Sequence, residues 1–233
     1  MSWILGIDTS SVDLGIGLYC DCDPIASYSR FIRNSHAEHI AQVVEMLLNA
    51  NNVTGKDIDR VAVSVGPGSF TGLRIGISFA KGFCFGRNSM ILPVSSLEIL
   101  AYTARNHNGR IIAAIDARNN DLFFGVFNAH QGNISRVLED TVDSFDNFRN
   151  IIRKDDIIVT DTMGYTRSTV FNMINDHPCV LPVEQFHVQR GLFCAAVGAQ
   201  QLNSPDLWQQ DTSAIVPNYL RASSAQKPSS VPA

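Results

Sequence analysis

The chain has 233 residues, a net charge of −4, 45% hydrophobic residues and 17% charged residues. This balance is typical of a globular protein with one large or two smaller domains, and it argues against a protein that holds nucleic acid through a basic surface of its own. Residues 1–8 lack the basic start of a signal peptide, and no apolar run approaches the roughly 18 residues of a membrane helix. The five cysteines are scattered and odd in number, which favours reduced thiols and a cytoplasmic protein.

The first predicted element is a hairpin. Residues 4–7 and 15–19 predict two buried strands joined by a short polar turn. Asp8, Thr9 and Ser10 in this turn suit a phosphate, because their backbone N–H groups and hydroxyls are donors and the carboxylate can hold a hydrated metal ion. The same residue types are common in any hairpin turn, so a plain connection remains the alternative.

A third strand is predicted over residues 25–31, and a helix follows it. Ser35 and Glu38 form a capping-box pattern at the start of this helix. His36 and His39 lie one turn apart and could ligate a metal, but two histidines without a third ligand do not specify one. Contacts to solvent or to a partner protein are the alternative.

The most unusual stretch is glycine-rich and spans residues 63–82. An apolar strand ends at Gly66-Pro67-Gly68, which suits a tight turn. A helix is predicted next, and small residues recur along it at every fourth position: Gly68, Gly72, Gly76 and Ala80. Each interior glycine costs about 0.5–1 kcal/mol relative to alanine, so the stripe predicts that another backbone lies close to it. That backbone belongs either to the chain's own fold or to another subunit.

A strand over residues 90–94 and a helix from Ser95 or Ser96 complete a first module, which the element order predicts to be a mixed sheet with helices packed on it. A second module begins at Gly109. Its strand, Asp and turn over residues 111–127 resemble residues 3–18, which indicates an internal duplication. The later predictions are a helix over 145–152, strands over 157–159 and 179–181, and a helix over 190–202.

Five motifs distributed along nearly the whole chain carry a family resemblance. They are Ile4-Leu5-Gly6-Ile7-Asp8-Thr9-Ser10, His36-Ala37-Glu38, Gly66-Pro67-Gly68-Ser69-Phe70-Thr71-Gly72-Leu73-Arg74-Ile75-Gly76, Ile115-Asp116-Ala117-Arg118 and Pro217-Asn218-Tyr219-Leu220-Arg221. With these motifs the chain resembles the TsaB (YeaZ) family, the dimerisation subunit of the bacterial machinery that makes threonylcarbamoyladenosine in tRNA. The resemblance implies an α/β fold of two duplicated actin/sugar-kinase/Hsp70-like (ribonuclease H-like) domains with mixed sheets flanked by helices. The expected division is residues 1–106, which carry the partner interface, residues 107–222, and a disordered Ser-, Pro- and Ala-rich tail over 223–233.

The function implied by the resemblance is that of a non-catalytic subunit. It would dimerise with a TsaD-like catalytic paralogue and support transfer of the threonylcarbamoyl group to N6 of the adenosine 3′ of the anticodon in tRNAs that read ANN codons. A TsaE-like ATPase is expected in the same complex, ATP and metal on the partner subunits, no cofactor in this chain, and contact with tRNA only indirectly. For the chain alone, the sequence leaves both a monomer and a homodimer through the same surface open, and no membrane association is expected.

Two departures from the catalytic relatives support a chain without an active site. These relatives bind a metal through an H-x-x-x-H motif after a Pro-Val pair, whereas the chain has Ser96 and Leu100 at the two histidine positions after Pro93-Val94. The Gly-Gly motif with which they bind adenosine is not evident at residues 159–164 either.

The resemblance also implies which residues meet the partner. The expected interface is the helix after His36 together with the glycine-rich helix: His36, Glu38, Gly68, Phe70, Gly72, Arg74, Ile75, Gly76, Phe79 and Ala80. Under this expectation, Gly72→Leu or Gly76→Leu leaves a folded protein that no longer binds its partner.

The alternative is a stand-alone enzyme of the same fold, either an ATP-dependent phosphotransferase or a glycoprotease-like metalloenzyme, supported by Asp8-Thr9-Ser10 and the two histidines. Against it, the G-x-S-x-G, H-E-x-x-H and G-x-x-x-x-G-K-[ST] patterns are absent from the sequence.

Overall fold

The computed structural model describes residues 1–31, 36–160, 180–182 and 189–220. The first half of the chain forms eight elements: β1 (Trp3–Asp8), β2 (Asp13–Cys20), β3 (Asp23–Phe31), α1 (His36–Ala50), β4 (Ile58–Gly66), α2 (Phe70–Cys84), β5 (Met90–Ser95) and α3 (Ser96–Ala101). The second half forms β6 (Gly109–Arg118), β7 (Asp121–His130), β8 (Asn133–Ser144), α4 (Phe145–Ile151), β9 (Ile157–Thr160) and β10 (Val180–Pro182), and α5 (Arg190–Gln200) follows.

Each half contains a five-stranded mixed sheet, and the two sheets have the same topology. The strand order is β3-β2-β1-β4-β5 in the first sheet and β8-β7-β6-β9-β10 in the second. In both sheets the first three strands pair antiparallel and the last two are added in parallel. The predicted duplication and the ribonuclease H-like fold class are confirmed.

Helices cover both faces of the first sheet. α1 and α2 pack on one face through an apolar core that includes Val44, Leu47 and Ile77. α5 packs on the opposite face, where Cys194 and Ala195 contact Ile4 and its neighbours. The prediction placed α5 in the second module, but its apolar side is buried against the first sheet.

The approach of α5 is close because small residues line both surfaces. A Cβ atom on Gly17 of β2 would overlap the backbone of Leu192, and a Cβ atom on Gly191 would overlap the backbone of Ile16. Glycine on both sides lets the first turn of α5 lie directly on the strands.

The structure adds one long strand to the predicted elements, and some predictions fall on residues that it does not describe. β8 is an edge strand in which half-buried and exposed residues alternate early on, and its many polar residues hide it from a search for apolar runs. Ser35 and the tail over 223–233 lie outside the described residues. Among the described helices, none is both long enough and apolar enough to span a membrane.

Candidate partner-docking site

The sequence left two interpretations of the β1–β2 turn, a phosphate loop and a plain connection, and in the structure its polar side chains Asp8, Thr9 and Ser10 are buried. Asp8 accepts a hydrogen bond from the backbone N–H of Ser10 at 2.8 Å and another from Arg190 Nε at 2.5 Å. A terminal nitrogen of Arg190 also donates to Ser10 Oγ at 2.9 Å. All three side chains are buried. The turn therefore holds an ion pair in the core.

The charge of Asp8 depends on this arrangement. Burial raises the pKa of Asp8, but the Arg190 charge and the hydrogen bonds from Ser10 outweigh it and leave the pKa below its ordinary value. The carboxylate is thus ionised at neutral pH and neutralised from within the chain. This corrects the interpretation of Asp8 and Ser10 as free ligand-binding groups, because both already have an intramolecular partner.

Arg190, the buried partner of Asp8 in this turn, is a residue that the sequence analysis missed. It lies 182 residues after Asp8, at the first position of α5, and no local pattern marks it. Its burial follows from the close contact of Gly191 with β2, which carries the start of α5 onto the sheet.

The glycine stripe of α2 lies against the same turn. A Cβ atom on Gly72 would overlap the carbonyl oxygen of Thr9, and one on Gly76 would overlap the Thr9 hydroxyl oxygen. That hydroxyl donates to the carbonyl of Gly72 at 2.8 Å. Gly72, Gly76 and Ala80 are all buried. The close backbone was predicted correctly, but it belongs to the chain itself.

The assignment of three residues to the predicted interface must therefore be corrected. Gly72, Gly76 and Ala80 cannot contact a partner through the stripe, because the β1–β2 turn and the core occupy that side of α2. For the same reason we expect Gly72→Leu to disturb folding and not to leave a folded, binding-deficient protein. Gly68 is exposed at the turn before α2 and stays a predicted interface residue.

The assignment of His36 to the partner interface must also be corrected. Its side chain is buried, and Nε2 lies 3.1 Å from the carbonyl oxygen of Ser11, within hydrogen-bond distance. His36 thus fixes the start of α1 on the β1–β2 turn and does not reach the surface. Glu38, two residues later, is exposed and stays in the predicted interface.

The two positions that replace the histidines of the catalytic relatives lie in α3. Ser96 and Leu100 are both fully buried, and Leu100 packs with residues of the second sheet such as Ile111 and Phe127. These side chains do not fit a metal, because one is apolar and the other a poor ligand. Across the described parts of the chain, no group of three or more His, Cys, Asp and Glu side chains could hold a metal ion. Residues 161–164 of the compared adenosine-binding motif lie outside the described residues.

The surface that remains open at this end of the molecule is formed by the outer sides of α1 and α2, which we call the docking face. Its exposed or half-buried members are Ala37, Glu38, Ala41, Gln42, Glu45, Met46 and Asn49 of α1, and Phe70, Thr71, Arg74, Ile75, Ser78 and Phe79 of α2. Met46 is 51% exposed and Phe70 is 40% exposed. Large apolar side chains left in solvent on neighbouring helices are typical of a protein-protein contact.

Charge is separated between the two helices of the docking face. The acidic residues of α1 are Glu38 and Glu45, and α1 contains no Lys or Arg. The basic residues of α2 are Arg74 and Lys81, and α2 contains no Asp or Glu. A face with an acidic helix beside a basic helix complements a second surface of the same design when the two are related by a two-fold rotation.

Comparisons with known proteins agree with this fold. The family model described as "TsaD: tRNA N6-adenosine threonylcarbamoyltransferase" matches residues 30–172. The chain is 31% identical to the tRNA threonylcarbamoyladenosine biosynthesis protein TsaB of Bacillus subtilis (strain 168) over 229 residues, which cover 96% of each protein. It is 32% identical to TsaB of Escherichia coli (strain K12) over 133 residues, which cover 56% of the chain and 57% of that protein.

A solved structure supports the same assignment. YeaZ from Pseudomonas aeruginosa superposes with a TM-score of 0.75 and 25% sequence identity, covering 94% of the chain and all of that protein. The near-complete match to the Bacillus protein, the TsaD-type family model and the shared fold agree with one another. The chain therefore belongs to the TsaB (YeaZ) family of tRNA threonylcarbamoyladenosine biosynthesis proteins, which is related to the TsaD family.

Proposed function

We propose that the chain is a non-catalytic subunit in the biosynthesis of threonylcarbamoyladenosine in tRNA, and that it pairs with a TsaD-like catalytic paralogue. The paralogue would transfer the threonylcarbamoyl group to N6 of the adenosine 3′ of the anticodon. A TsaE-like ATPase would join the same complex, with ATP and metal held by the partner subunits and tRNA touching this chain only indirectly. We place the complex in the cytoplasm, where tRNA is found.

The docking face is the observation that carries this proposal. It carries exposed apolar side chains on both helices, Met46 on the acidic α1 and Phe70 on the basic α2. A paralogue with the same fold can present the same two helices, so each acidic helix meets a basic one. Alone, the chain can satisfy the same pattern by forming a homodimer.

The buried β1–β2 turn, whose polar side chains are bonded within the molecule, supports a non-catalytic role for this chain. A phosphotransferase needs a carboxylate and hydroxyls that face its nucleotide and metal. Here Asp8 and Ser10 are bound to Arg190, and Thr9 is bound to Gly72. Calorimetry of the purified chain with Mg·ATP, together with metal analysis, distinguishes the alternative: tight nucleotide binding and a stoichiometric metal would reverse the assignment.

The partner is tested with a matched pair of surface variants. Met46 on α1 and Val137 on β8 are exposed to nearly the same extent, 51% and 54%, but only Met46 lies on the docking face. We expect Met46→Glu to weaken binding to the TsaD-like paralogue of the same organism by about tenfold or more, because a carboxylate would have to be desolvated in the interface. Val137→Glu should leave the affinity unchanged. Equal affinities for both variants would contradict the proposed face.

A further inference from the structure

The C-terminal strap, residues 201–220, wraps around one edge of the first sheet. It begins after α5, where Trp208 is buried in the core beneath that helix. Gln209 and Ile91 then exchange both backbone hydrogen bonds, at 2.8 and 2.9 Å, so the strap covers the free edge of β5. Beyond this point Ile215 is buried in the opposite core, under α1 and α2. The strap thus carries the chain from the α5 face of the sheet to the docking-face side.

The end of the strap is fixed at the start of α2. The backbone N–H of Asn218 donates to the carbonyl of Val65 at 2.7 Å, directly before the turn that leads into α2. Gly66 in this turn has φ +116, and a side chain there would meet the Asn218 carbonyl oxygen at 3.0 Å. The position of the next residue, Tyr219, is therefore set by backbone contacts.

Tyr219 forms a three-membered cluster with two residues of the docking face. Its ring stacks on Phe70 with the centroids 5.0 Å apart and the planes at 24°. Its hydroxyl accepts a hydrogen bond from Arg74 Nε at 3.1 Å, and the Arg74 guanidinium carbon lies 4.0 Å from the centre of the Phe70 ring. The two aromatic contacts and the hydrogen bond hold a long cationic side chain in one place at the surface.

The cluster is ordered and still open. Phe70 is 40% exposed and Tyr219 is 43% exposed, although the two rings cover one another. Trp, Tyr and Arg are enriched among the residues whose truncation costs most in protein interfaces, and anchors already held in their bound geometry lose less entropy on binding. These properties are those of an interface anchor.

We propose that Tyr219, Phe70 and Arg74 form one anchor of the docking face, so that the strap contributes directly to the partner interface; this inference rests on the proposed function. Its occupant is an acidic helix of a protein of the same fold, the counterpart of α1. Arg74 gives the cluster a positive charge, so an acidic helix complements it. In this fold α1 is such a helix, with Glu38 in its first turn. A partner related by a two-fold rotation sets such a helix opposite α2.

The experiment measures the affinity of the full-length chain for the TsaD-like paralogue of the same organism, with variants on the strap. Tyr219→Ala should weaken the affinity by about tenfold, because it removes the stack and frees Arg74. Tyr219→Phe keeps the ring but not the hydroxyl that holds Arg74, so we expect a smaller loss and a weaker dependence of Kd on salt. The matched control is Val216→Ala, since Val216 lies on the same strap and is 62% exposed.

The outcomes separate this inference from the proposed function. If the unmodified chain binds and both Tyr219 variants bind equally well with the same salt dependence, the strap is not part of the interface. If the unmodified chain does not bind the paralogue, the proposed function itself fails. Thermal unfolding of each variant identifies a folding defect, and Tyr219→Phe then decides the question, because it preserves the ring stack.

Discussion

The β1–β2 turn of the first half and the β6–β7 turn of the second half occupy equivalent places in the two sheets, but they differ in burial. Each contains an Asp near the end of the strand, and its carboxylate accepts a hydrogen bond from the backbone N–H two residues later: Ser10 N to Asp8 at 2.8 Å, and Arg118 N to Asp116 at 2.7 Å. In the first half, α2 and Arg190 close over the turn and Asp8 is fully buried. In the second half, Asp116 is half-buried and the residues after Ala117 are exposed.

The difference in burial between the two turns shows that the halves of a duplicated fold can use equivalent turns for different purposes. The second turn keeps its form through local chemistry, with Arg118, Asn119 and Asn120 all at positive φ. The first turn has become an internal support that orients α2, α5 and, through His36, α1. The first turn therefore determines how the docking face is held, and the experiments below test that contrast.

The largest expected effect comes from making one change at the two equivalent positions. Asp8→Asn keeps an acceptor for Ser10 but removes the buried carboxylate that forms the ion pair with Arg190, so the free energy of unfolding should fall by about 3–5 kcal/mol. Asp116→Asn at the open turn should change it by less than about 0.5 kcal/mol. Urea denaturation of both variants measures the difference, and similar losses would show that the two turns are equivalent after all.

A second contrast lies within α2. Gly72→Ala places a methyl group on the Thr9 carbonyl oxygen, which must move, and we expect a loss of about 2–3 kcal/mol in the free energy of unfolding. At Gly82, in the same helix, an added Cβ atom would have no neighbour within 4 Å, so Gly82→Ala should gain about 0.5–1 kcal/mol. Chemical denaturation of Gly72→Ala and Gly82→Ala measures whether the first lowers and the second raises the free energy of unfolding. Stabilisation by Gly72→Ala would mean that the stripe is not packed against the turn.

The link between the halves can be weakened at Ser95. Its hydroxyl caps α3 by accepting from the backbone N–H groups of Leu97 and Glu98, and it donates to Asp140 of β8 at 2.6 Å. Ser95→Ala should cost about 2 kcal/mol, because it removes a helix cap and a bond to a carboxylate.

The control for this link is Ser144→Ala. Ser144 caps α4 by accepting a hydrogen bond from the backbone N–H of Asn147, and both residues belong to the second half. We therefore expect Ser144→Ala to lower the free energy of unfolding only by the loss of the helix cap, about 1 kcal/mol. Thermal or urea unfolding distinguishes the two variants. Equal losses would show that the Ser95 to Asp140 bond adds nothing between the halves.

The smallest effect is a pH dependence near the same link. Burial raises the pKa of Glu98, and the neighbouring Arg136 only partly opposes this. The folded state therefore holds more protons than the unfolded state above the ordinary pKa of 4.5, and stability falls as the pH rises through the raised value. Asp8 has the opposite sign: its pKa is lowered, so its contribution is present above 3.8 and is lost on acidification.

Glu98→Gln should remove the first of these two effects. As the pH rises above 4.5, the free energy of unfolding of the unmodified chain should decrease relative to that of Glu98→Gln, because glutamine does not titrate. Urea denaturation at a series of pH values measures both curves. Parallel curves for the two proteins would show that Glu98 titrates alike in the folded and unfolded states.

Several features could be predicted from local sequence alone. The strands of the first half, the cap at Ser95 and the α2 helix follow from apolar periodicity and from turn residues close together in the chain. The open face of α1 and α2 also follows from the helical pattern. β8 was missed because its polar edge-strand sequence carries no apolar run.

The partners of these elements could not be predicted in the same way. The stripe of Gly72 and Gly76 indicated a close backbone, and only the fold shows that this backbone is the Thr9 turn. Arg190 and Tyr219 reach their partners across 182 and 145 residues, so no spacing in the sequence relates them.

The sequence by itself determined the secondary structure of the first half, the duplication and the family, because those depend on periodicity, turn chemistry and motifs. The tertiary structure decided which predicted site residues are buried and which are open. The physical reason is that α5 and the strap return from the far end of the chain to the first sheet, where they neutralise Asp8 and place Tyr219 beside Phe70.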